Sequence, residues 1–269
     1  MGKVISFGLQ KGGVAKTTTT AILAYLMSKD KKKVLAVDMD SQGNLTELLT
    51  DRSSNDFIKN SILEAIAFRQ PKKYTYKIND YIDLIPSNNF LASFARWIYI
   101  HDLPNFEGKF PYKGYGYEQL DLTLQMVKDE YDYILIDTPP ALSEQTSNAL
   151  IASDYVVILY EGSKFCYSAV PNFMDTVQFA MNKKGRLKIL GILRTLLDKR
   201  RTDVKLFNEA IEEDYPDLVF ETIITHKAKT GRIPLYGFED NKELDEGIHQ
   251  FKGFYKELLN RIKDSEDNE

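Results

Sequence analysis

A glycine-rich loop near the start of the chain constrains the fold more than any other feature. It lies between a short apolar run at residues 4–7 and an apolar helical stretch at residues 21–27. The loop itself reads Lys11-Gly12-Gly13-Val14-Ala15-Lys16-Thr17-Thr18. A strand, a glycine loop and a helix in this order bring free backbone N–H groups to a helix N-terminus, where anions bind. The sequence therefore predicts a phosphate-binding loop at the edge of a parallel sheet.

Further short apolar runs recur along the chain, and helical patterns lie between most of them. They occupy residues 34–37, 81–85, 133–136, 155–160, 187–193 and 218–224. Continuous apolar strands that alternate with helices are typical of a parallel sheet covered on both faces. The predicted fold class is α/β, with a mostly parallel central sheet flanked by helices on both faces. We expect a single domain over residues 1–269, with a disordered acidic tail at residues 264–269.

Composition narrows the classes of protein that fit. The 269 residues carry a formal net charge of −4, which excludes a protein that is basic overall but not one with a local basic patch. A single cysteine, Cys166, excludes an intrachain disulfide and a multi-cysteine metal site, and we expect it to be a small buried residue. No apolar stretch approaches the roughly 20 residues that span a bilayer. A cytoplasmic protein is expected.

Two aspartates follow other predicted strands and are expected to meet the loop. Asp40 follows the second strand and Asp137 the strand at residues 133–136. In parallel sheets, ligands sit outside the carboxyl ends of the strands, so these carboxylates converge on the loop. Lys16 can then reach terminal phosphates, and the Thr17 hydroxyl can ligate Mg²⁺. For Asp38 we expect only a supporting role, because capping of a turn or helix explains it equally well.

The loop pattern K-G-G-x-x-K-T resembles the deviant phosphate loop of the ParA/MinD family of ATPases. It departs from G-x-x-x-x-G-K-[ST], because Gln10 and Ala15 occupy the outer glycine positions. Three further segments are similar to that family: VDMDSQGNLT at residues 37–46, LIPSN at residues 84–88 and DYILIDTPP at residues 132–140. These similar segments lie within residues 1 to about 160. Within the family, the sequence most resembles the short ParA-type ATPases that partition plasmids and chromosomes.

The resemblance implies a deviant P-loop ATPase that binds ATP and Mg²⁺. The implied nucleotide contacts are Lys11, Gly12, Gly13, Val14, Ala15, Lys16, Thr17 and Thr18, with Pro234 as a candidate adenine contact. Thr17, Asp40 and Asp137 are the implied residues of the metal site. Lys16 would hold the β- and γ-phosphates, and Asp40 would orient the attacking water.

The resemblance also implies an ATP-dependent homodimer in which Lys11 enters the nucleotide site of the partner subunit. There it would stabilise the transition state in the manner of an arginine finger. Ala15 stands where the commonest family version has glycine. A positive φ at that position would cost alanine about 1 kcal/mol, and we interpret the alanine as ordinary family variation.

Basic residues concentrate in two stretches of this acidic chain. Residues 181–205 carry nine lysines and arginines against two aspartates, and residues 226–232 add three more basic residues without an acid. Such clusters suit the DNA backbone, although a solvated charged face is an open alternative. The resemblance places candidate nonspecific DNA contacts at Arg200, Arg201, Lys227, Lys229 and Arg232. It implies a nucleoid-associated partition ATPase with a ParB-like centromere-binding partner.

Two other functions remain open. A MinD-like positioning ATPase would use an amphipathic C-terminal helix on a membrane, but we expect the apolar residues between 248 and 262 to pack against the sheet. A nucleotide-dependent adaptor would bind ATP without hydrolysing it. Residues 97–117 are rich in aromatic side chains, which predicts either partner docking or core packing.

Overall fold

The described strands form one sheet, and the strand that leads into the glycine-rich loop lies in its interior. The computed structural model describes residues 1–100, 115–197, 202–227, 229–233, 237–238 and 242–267. Its strands are β1 (Lys3–Gly8), β2 (Val34–Asp38), β3 (Tyr76–Lys77), β4 (Ile82–Ile85), β5 (Tyr133–Asp137), β6 (Tyr155–Glu161), β7 (Lys188–Leu197) and β8 (Val219–Thr225). They lie in the order β3-β4-β2-β5-β1-β6-β7-β8, and every neighbouring pair except β3–β4 is parallel. The predicted α/β class is confirmed.

Helices cover both faces of this sheet. They are α1 (Lys16–Lys29), α2 (Asn44–Thr50), α3 (Ile62–Phe68), α4 (Phe94–Ile100), α5 (Gln119–Leu124), α6 (Glu144–Ala152), α7 (Lys164–Lys184), α8 (Thr202–Asp214) and α9 (Lys242–Asp267). Leu135 of β5 packs in a core with α1, α7 and α9, whereas its neighbours Ile134 and Ile136 pack in a second core with α3 and α5. Successive side chains of a strand point to opposite faces, so the continuous apolar strands reflect burial on both sides.

The structure differs from the sequence-based expectation at two places. The two-residue strand β3 was not expected, because its exposed residues leave no apolar run to detect. The predicted disorder at the C-terminus is wrong for residues 264–267, where α9 continues to Asp267. There the Ser265 carbonyl accepts a hydrogen bond from Lys188 Nζ at 3.1 Å, and Glu266 forms an ion pair with Lys3. The acidic end of the chain is therefore held by basic residues at the starts of β7 and β1.

The apolar face of α9 packs against the protein, as expected. Its buried residues include Ile248, Phe251, Phe254, Tyr255, Leu258 and Ile262. Within the described ranges, no helix is both long enough and apolar enough to cross a bilayer. Cys166 is buried and free, in agreement with the sequence-based expectation.

The aromatic segment divides into buried and exposed parts. Trp97 is buried, whereas Tyr99 and Tyr115 are exposed. Residues 101–114, which include Tyr112, lie outside the described residues. Core packing therefore accounts for Trp97, and the docking hypothesis for the rest stays a prediction.

Candidate nucleotide-binding site

Two residues in the loop between β1 and α1 have a left-handed backbone conformation. Gly13 has a φ of +79° and Ala15 a φ of +62°. The backbone conformation, rather than limited space, favours glycine at position 13, because a Cβ there would meet nothing within 4 Å. Ala15 thus has the positive φ that was considered for this position, and the conformation costs the alanine about 1 kcal/mol. The loop is anchored from β7, where Thr195 Oγ1 donates to the Val14 carbonyl at 3.1 Å.

Lys16 places a buried cation beneath the loop. Its ammonium donates to the carbonyl of Lys11 at 2.8 Å and approaches the carbonyl of Leu9 at 3.5 Å. Burial lowers the pKa of Lys16, while the carboxylates of Asp137 and Asp40 act in the opposite direction. The first residue of α1 therefore directs positive charge into the curve of the loop, close to two carboxylates.

Thr17 and Asp137 form the contact that joins the loop to the neighbouring strand. Thr17 Oγ1 donates to Asp137 Oδ2 at 2.6 Å. Asp137 Oδ1 is buried and has no hydrogen-bond partner among the described residues. Burial raises the pKa of Asp137 well above its usual range, and nearby Asp38 adds to this effect. The site thus holds a buried carboxylate oxygen that lacks a partner within the described part of the chain.

These residues fit a magnesium ion of the kind that accompanies nucleotides. Mg²⁺ is commonly held by one or two carboxylates, waters and substrate phosphates rather than by a cage of protein ligands. The hydroxyl of Thr17 and the unpartnered Oδ1 of Asp137 supply that chemistry. In the part of the chain that the structure describes, no group of three or more His, Cys, Asp or Glu residues is arranged to hold a metal. A magnesium site completed by phosphate oxygens agrees with both observations.

Asp38 organises the backbone that follows β2. It accepts hydrogen bonds from the Thr46 backbone at 2.9 Å, the Thr46 hydroxyl at 2.7 Å and the Asp40 backbone at 3.1 Å. Its burial raises the pKa of the carboxyl group to about 7. Asp38 lies opposite Asp137 in the β2–β5 register. It therefore ties α2 to the sheet, which matches the supporting role expected for it.

Asp40 lies at the carboxyl end of β2 and faces the space in front of the loop. It is largely buried, and its Oδ1 accepts a hydrogen bond from the Gln42 backbone at 3.0 Å. The side chain also lies close enough to Lys16 for the two charges to interact. The structure thus brings together the loop, Asp40 and Asp137, as the positions of the strand ends predict.

A cavity of about 920 Å³ lies against the loop. The predicted residues on its wall are Gly12, Gly13, Val14, Ala15, Lys16, Thr17, Thr18 and Asp40. The other wall, which the sequence analysis did not predict, comprises Gln42, Asn44, Glu47, Leu48, Asp51, Arg52, Ser53, Pro140 and Leu196. The family-like segments at residues 37–46 and 132–140 were the signals for Gln42, Asn44 and Pro140 on that wall. Residues 47–53 reach the cavity because α2 and the loop after it fold back over the site, whereas Pro140 follows β5 and Leu196 belongs to β7.

The candidate DNA contacts are only partly described. Arg200, Arg201 and the adenine candidate Pro234 lie outside the described residues. Lys229 forms an ion pair with Glu246, and Arg232 pairs with Glu243 at 3.1 Å.

The basic stretch at residues 181–205 is also partly neutralised within the protein. Arg194 is buried and pairs with Glu212, and Arg186 pairs with Asp121. Counting charges along the sequence therefore overestimates the free positive charge, because several of these side chains have acidic partners that are distant in sequence.

Comparisons with known proteins agree with this geometry. A family model described as an AAA domain matches residues 2–189. The chromosome partitioning protein ParA of Myxococcus xanthus is 30% identical over 242 residues, which cover 88% of this chain and 80% of that protein. The fold and the loop define a deviant P-loop ATPase. More particularly, the chain belongs to the ParA/MinD family.

Two solved structures extend the comparison to ligands. A putative plasmid partition protein from Borrelia burgdorferi, bound to AMPPNP, is 27% identical with a TM-score of 0.71, and the match covers 98% of this chain and 100% of that one. Cobyrinic acid a,c-diamide synthase from Mycobacterium smegmatis, with bound ADP and magnesium, is 27% identical with a TM-score of 0.73, over 87% of this chain and 91% of that one. The expected ligands, ATP and Mg²⁺, are of the kind that these neighbours hold.

Proposed function

We propose that the chain is a ParA-type partition ATPase that binds Mg-ATP, dimerises around it and hydrolyses it to drive plasmid or chromosome segregation. The observation that carries this proposal is the convergence of Lys16, Thr17, Asp40 and Asp137 beside one cavity of about 920 Å³. Three separate segments of the chain supply these groups. A glycine turn with only a structural role would not require these side chains to lie together.

The phosphate-binding roles follow from the chemistry of each side chain. Lys16 holds the β- and γ-phosphates as a point charge, and the N–H groups at the start of α1 add donors. Thr17 Oγ1 and Asp137 hold Mg²⁺, with Asp40 at the edge of the same site. When bound there, Mg²⁺ neutralises the negative charge on the phosphate oxygens. Asp40 orients the water that attacks the terminal phosphate.

The position of Lys11 supports a role in the partner subunit. Gly12 and its successors line the cavity, whereas Lys11 does not lie on the described wall of its own site. A dimer that places two loops face to face would give each nucleotide a lysine from the opposite chain. ATP then links the two subunits, and hydrolysis releases them.

Nonspecific DNA binding and a ParB-like partner complete the proposal. Lys227, Lys229 and Arg232, together with Arg200 and Arg201, are the candidate contacts with the DNA backbone. We propose a nucleoid-associated protein on this basis. The buried apolar face of α9 argues against the MinD-like alternative, because that face is already covered by the protein.

A steady-state hydrolysis assay tests this proposal against the nucleotide-dependent adaptor. Wild-type protein with Mg-ATP is assayed alone, with nonspecific duplex DNA, and with a candidate partner encoded beside it. The Lys16→Gln variant is the matched control, because it keeps a polar side chain only one atom shorter and removes its charge. We expect turnover that DNA and partner increase and that the variant lacks. Wild-type turnover no higher than that of Lys16→Gln under every condition would favour the adaptor.

Mixing two inactive variants tests whether Lys11 acts in the partner site. Lys11→Ala keeps Asp40, and Asp40→Ala keeps Lys11, so a mixed dimer contains one site with both groups. We expect hydrolysis to return when the two variants are combined. Absence of recovery at concentrations that demonstrably form mixed dimers would contradict the role in trans.

A further inference from the structure

Phe165 is an aromatic side chain that the fold leaves on the surface. It lies in the first turn of α7 and is 74% exposed. The adjacent residue Cys166 is buried, as are Val170 and Phe173 further along the helix. Because these residues commit one face of α7 to the core, Phe165 is turned outward, and an outward phenylalanine gains nothing from core burial.

The middle of α7 packs against the end of β1, the strand that leads into the glycine loop. A Cβ at Gly8 would lie 2.4 Å from the Phe173 ring, so the glycine permits the closest approach of helix and strand. Ser163 caps the helix by accepting from the Cys166 backbone at 3.4 Å. The exposed ring therefore stands in the capped first turn of a helix whose middle packs against β1.

The ammonium group of Lys11 lies over the Phe165 ring, 5.9 Å from its centroid. The backbone of Lys11 is held at both ends, since its N–H donates to the Leu9 carbonyl at 2.7 Å and its carbonyl accepts from Lys16 at 2.8 Å. Among the described residues, no carboxylate pairs with this ammonium group. Within the part of the chain that the structure describes, the ring is thus the contact that restricts the direction of the Lys11 side chain.

We propose that Phe165 is a positioning residue for Lys11, which holds its ammonium on the exposed side of the loop for delivery to the nucleotide of a facing subunit. This inference rests on the proposed role of Lys11 in trans. A free lysine side chain samples many rotamers and loses that freedom when it enters a site. The Phe165 ring removes part of this freedom in advance, so that Lys11 acts from a restricted set of positions.

The mixed-dimer assay isolates this effect, because only one chain supplies the active Lys11. The donor chain carries Asp40→Ala and the acceptor chain carries Lys11→Ala. Phe165→Leu is added to the donor alone, or to the acceptor alone as the matched control. In the donor it should lower the recovered kcat roughly two- to five-fold, the change that an exposed cation–π contact corresponds to. In the acceptor it should leave the recovered kcat unchanged.

Two further measurements separate positioning from general damage. The KM for ATP should stay constant in both arms, because Phe165 does not line the described wall of the nucleotide cavity. Phe165→Tyr in the donor should preserve the recovered kcat, since it retains an aromatic face. If Phe165→Leu lowers the recovered kcat equally in both arms, or does not lower it in the donor, the positioning role of Phe165 is overturned. The trans role of Lys11 would stand in that case. Failure of the unmodified variants to recover any turnover would overturn the trans role of Lys11 and this inference with it.

Discussion

Ala15 holds a strained conformation at the entry to the first helix. Its φ of +62° lies in the left-handed region, where a Cβ is unfavourable, and it directly precedes Lys16 and Thr17. The chain accepts this cost at the point where the backbone turns around the candidate phosphate position. Local strain of this kind is found where a functional geometry is fixed by its surroundings.

Replacing Ala15 with glycine should stabilise the protein. Ala15→Gly relieves the left-handed strain, and the extra freedom of glycine in the unfolded chain offsets part of the gain. We expect the free energy of unfolding to rise by about 0.5–1 kcal/mol. Ala210→Gly, within α8, is the control and should lower it by about 0.5–1 kcal/mol. Denaturant unfolding of both variants measures the difference, and a destabilised Ala15→Gly would contradict the strain argument.

The residues of the phosphate site were predictable because each stands at a position that local sequence defines. Lys16 and Thr17 follow a glycine loop, and Asp40 and Asp137 follow apolar strands. The strain at Ala15 was not predictable from the motif, because the φ of a residue depends on how the helix meets the strand. The contact between Lys11 and Phe165 was also missed, since the two residues are far apart in sequence.

At the scale of elements, α9 protects the open edge of the sheet. β8 is the last strand, and an exposed strand edge can pair with another chain. Glu257 accepts hydrogen bonds from the backbone of Glu221 at 2.8 Å and of Thr222 at 3.0 Å. Gln250 accepts from the Thr225 backbone at 2.9 Å. Side chains of the helix thus satisfy N–H groups of the edge strand.

Removing the carboxylate of Glu257 should weaken this edge. Glu257→Ala leaves two backbone N–H groups without their acceptor, and we expect a loss of about 1–3 kcal/mol in the free energy of unfolding. The control is Glu243→Ala on the same helix, where an exposed ion pair with Arg232 contributes about 0–1 kcal/mol. Denaturant unfolding and size-exclusion chromatography compare the two. Equal stability and equal self-association would show that α9 does not protect β8.

The elements themselves were predicted better than their ends. Seven apolar runs correspond to β1, β2 and β4–β8. The runs revealed the strands because parallel strands buried on both faces are continuously apolar. The end of α9 was missed, since its stabilising contacts come from Lys188 and Lys3 at distant positions. The second wall of the cavity was missed because its residues come together from segments that are distant in sequence.

At the scale of the whole molecule, charge is distributed unevenly. The chain carries −4 overall, yet two short stretches are strongly basic. Among the described candidates, Lys229 and Arg232 already have acidic partners. Binding of DNA through these two residues therefore requires competition with Glu246 and Glu243. A test through Arg200 and Arg201 avoids the competition with these two carboxylates.

Replacing Arg200 and Arg201 with alanine should weaken DNA binding equally for unrelated sequences. Each lost phosphate contact lowers the slope of log affinity against log salt by about 0.9, and a dimer carries the change twice. Lys72→Ala combined with Lys73→Ala removes the same charge beside β3, an end strand of the sheet, and should leave the slope unchanged. Fluorescence anisotropy with labelled duplexes from about 50 to about 200 mM salt measures both. Equal slopes for both double variants and the wild type would indicate that the basic stretch is a solvated charged face that does not contact DNA.

The most direct test of the proposed site is calorimetric titration with Mg-ATP. Lys16→Ala removes the buried cation that we propose holds the phosphates, and we expect the affinity to fall roughly 100-fold. Asp40→Ala removes the group that we propose orients the attacking water, and its affinity should remain within about three-fold of wild type while turnover is lost. This pattern would establish separate roles for phosphate binding and water orientation. Equal affinity of wild type and Lys16→Ala would contradict a nucleotide site at this loop.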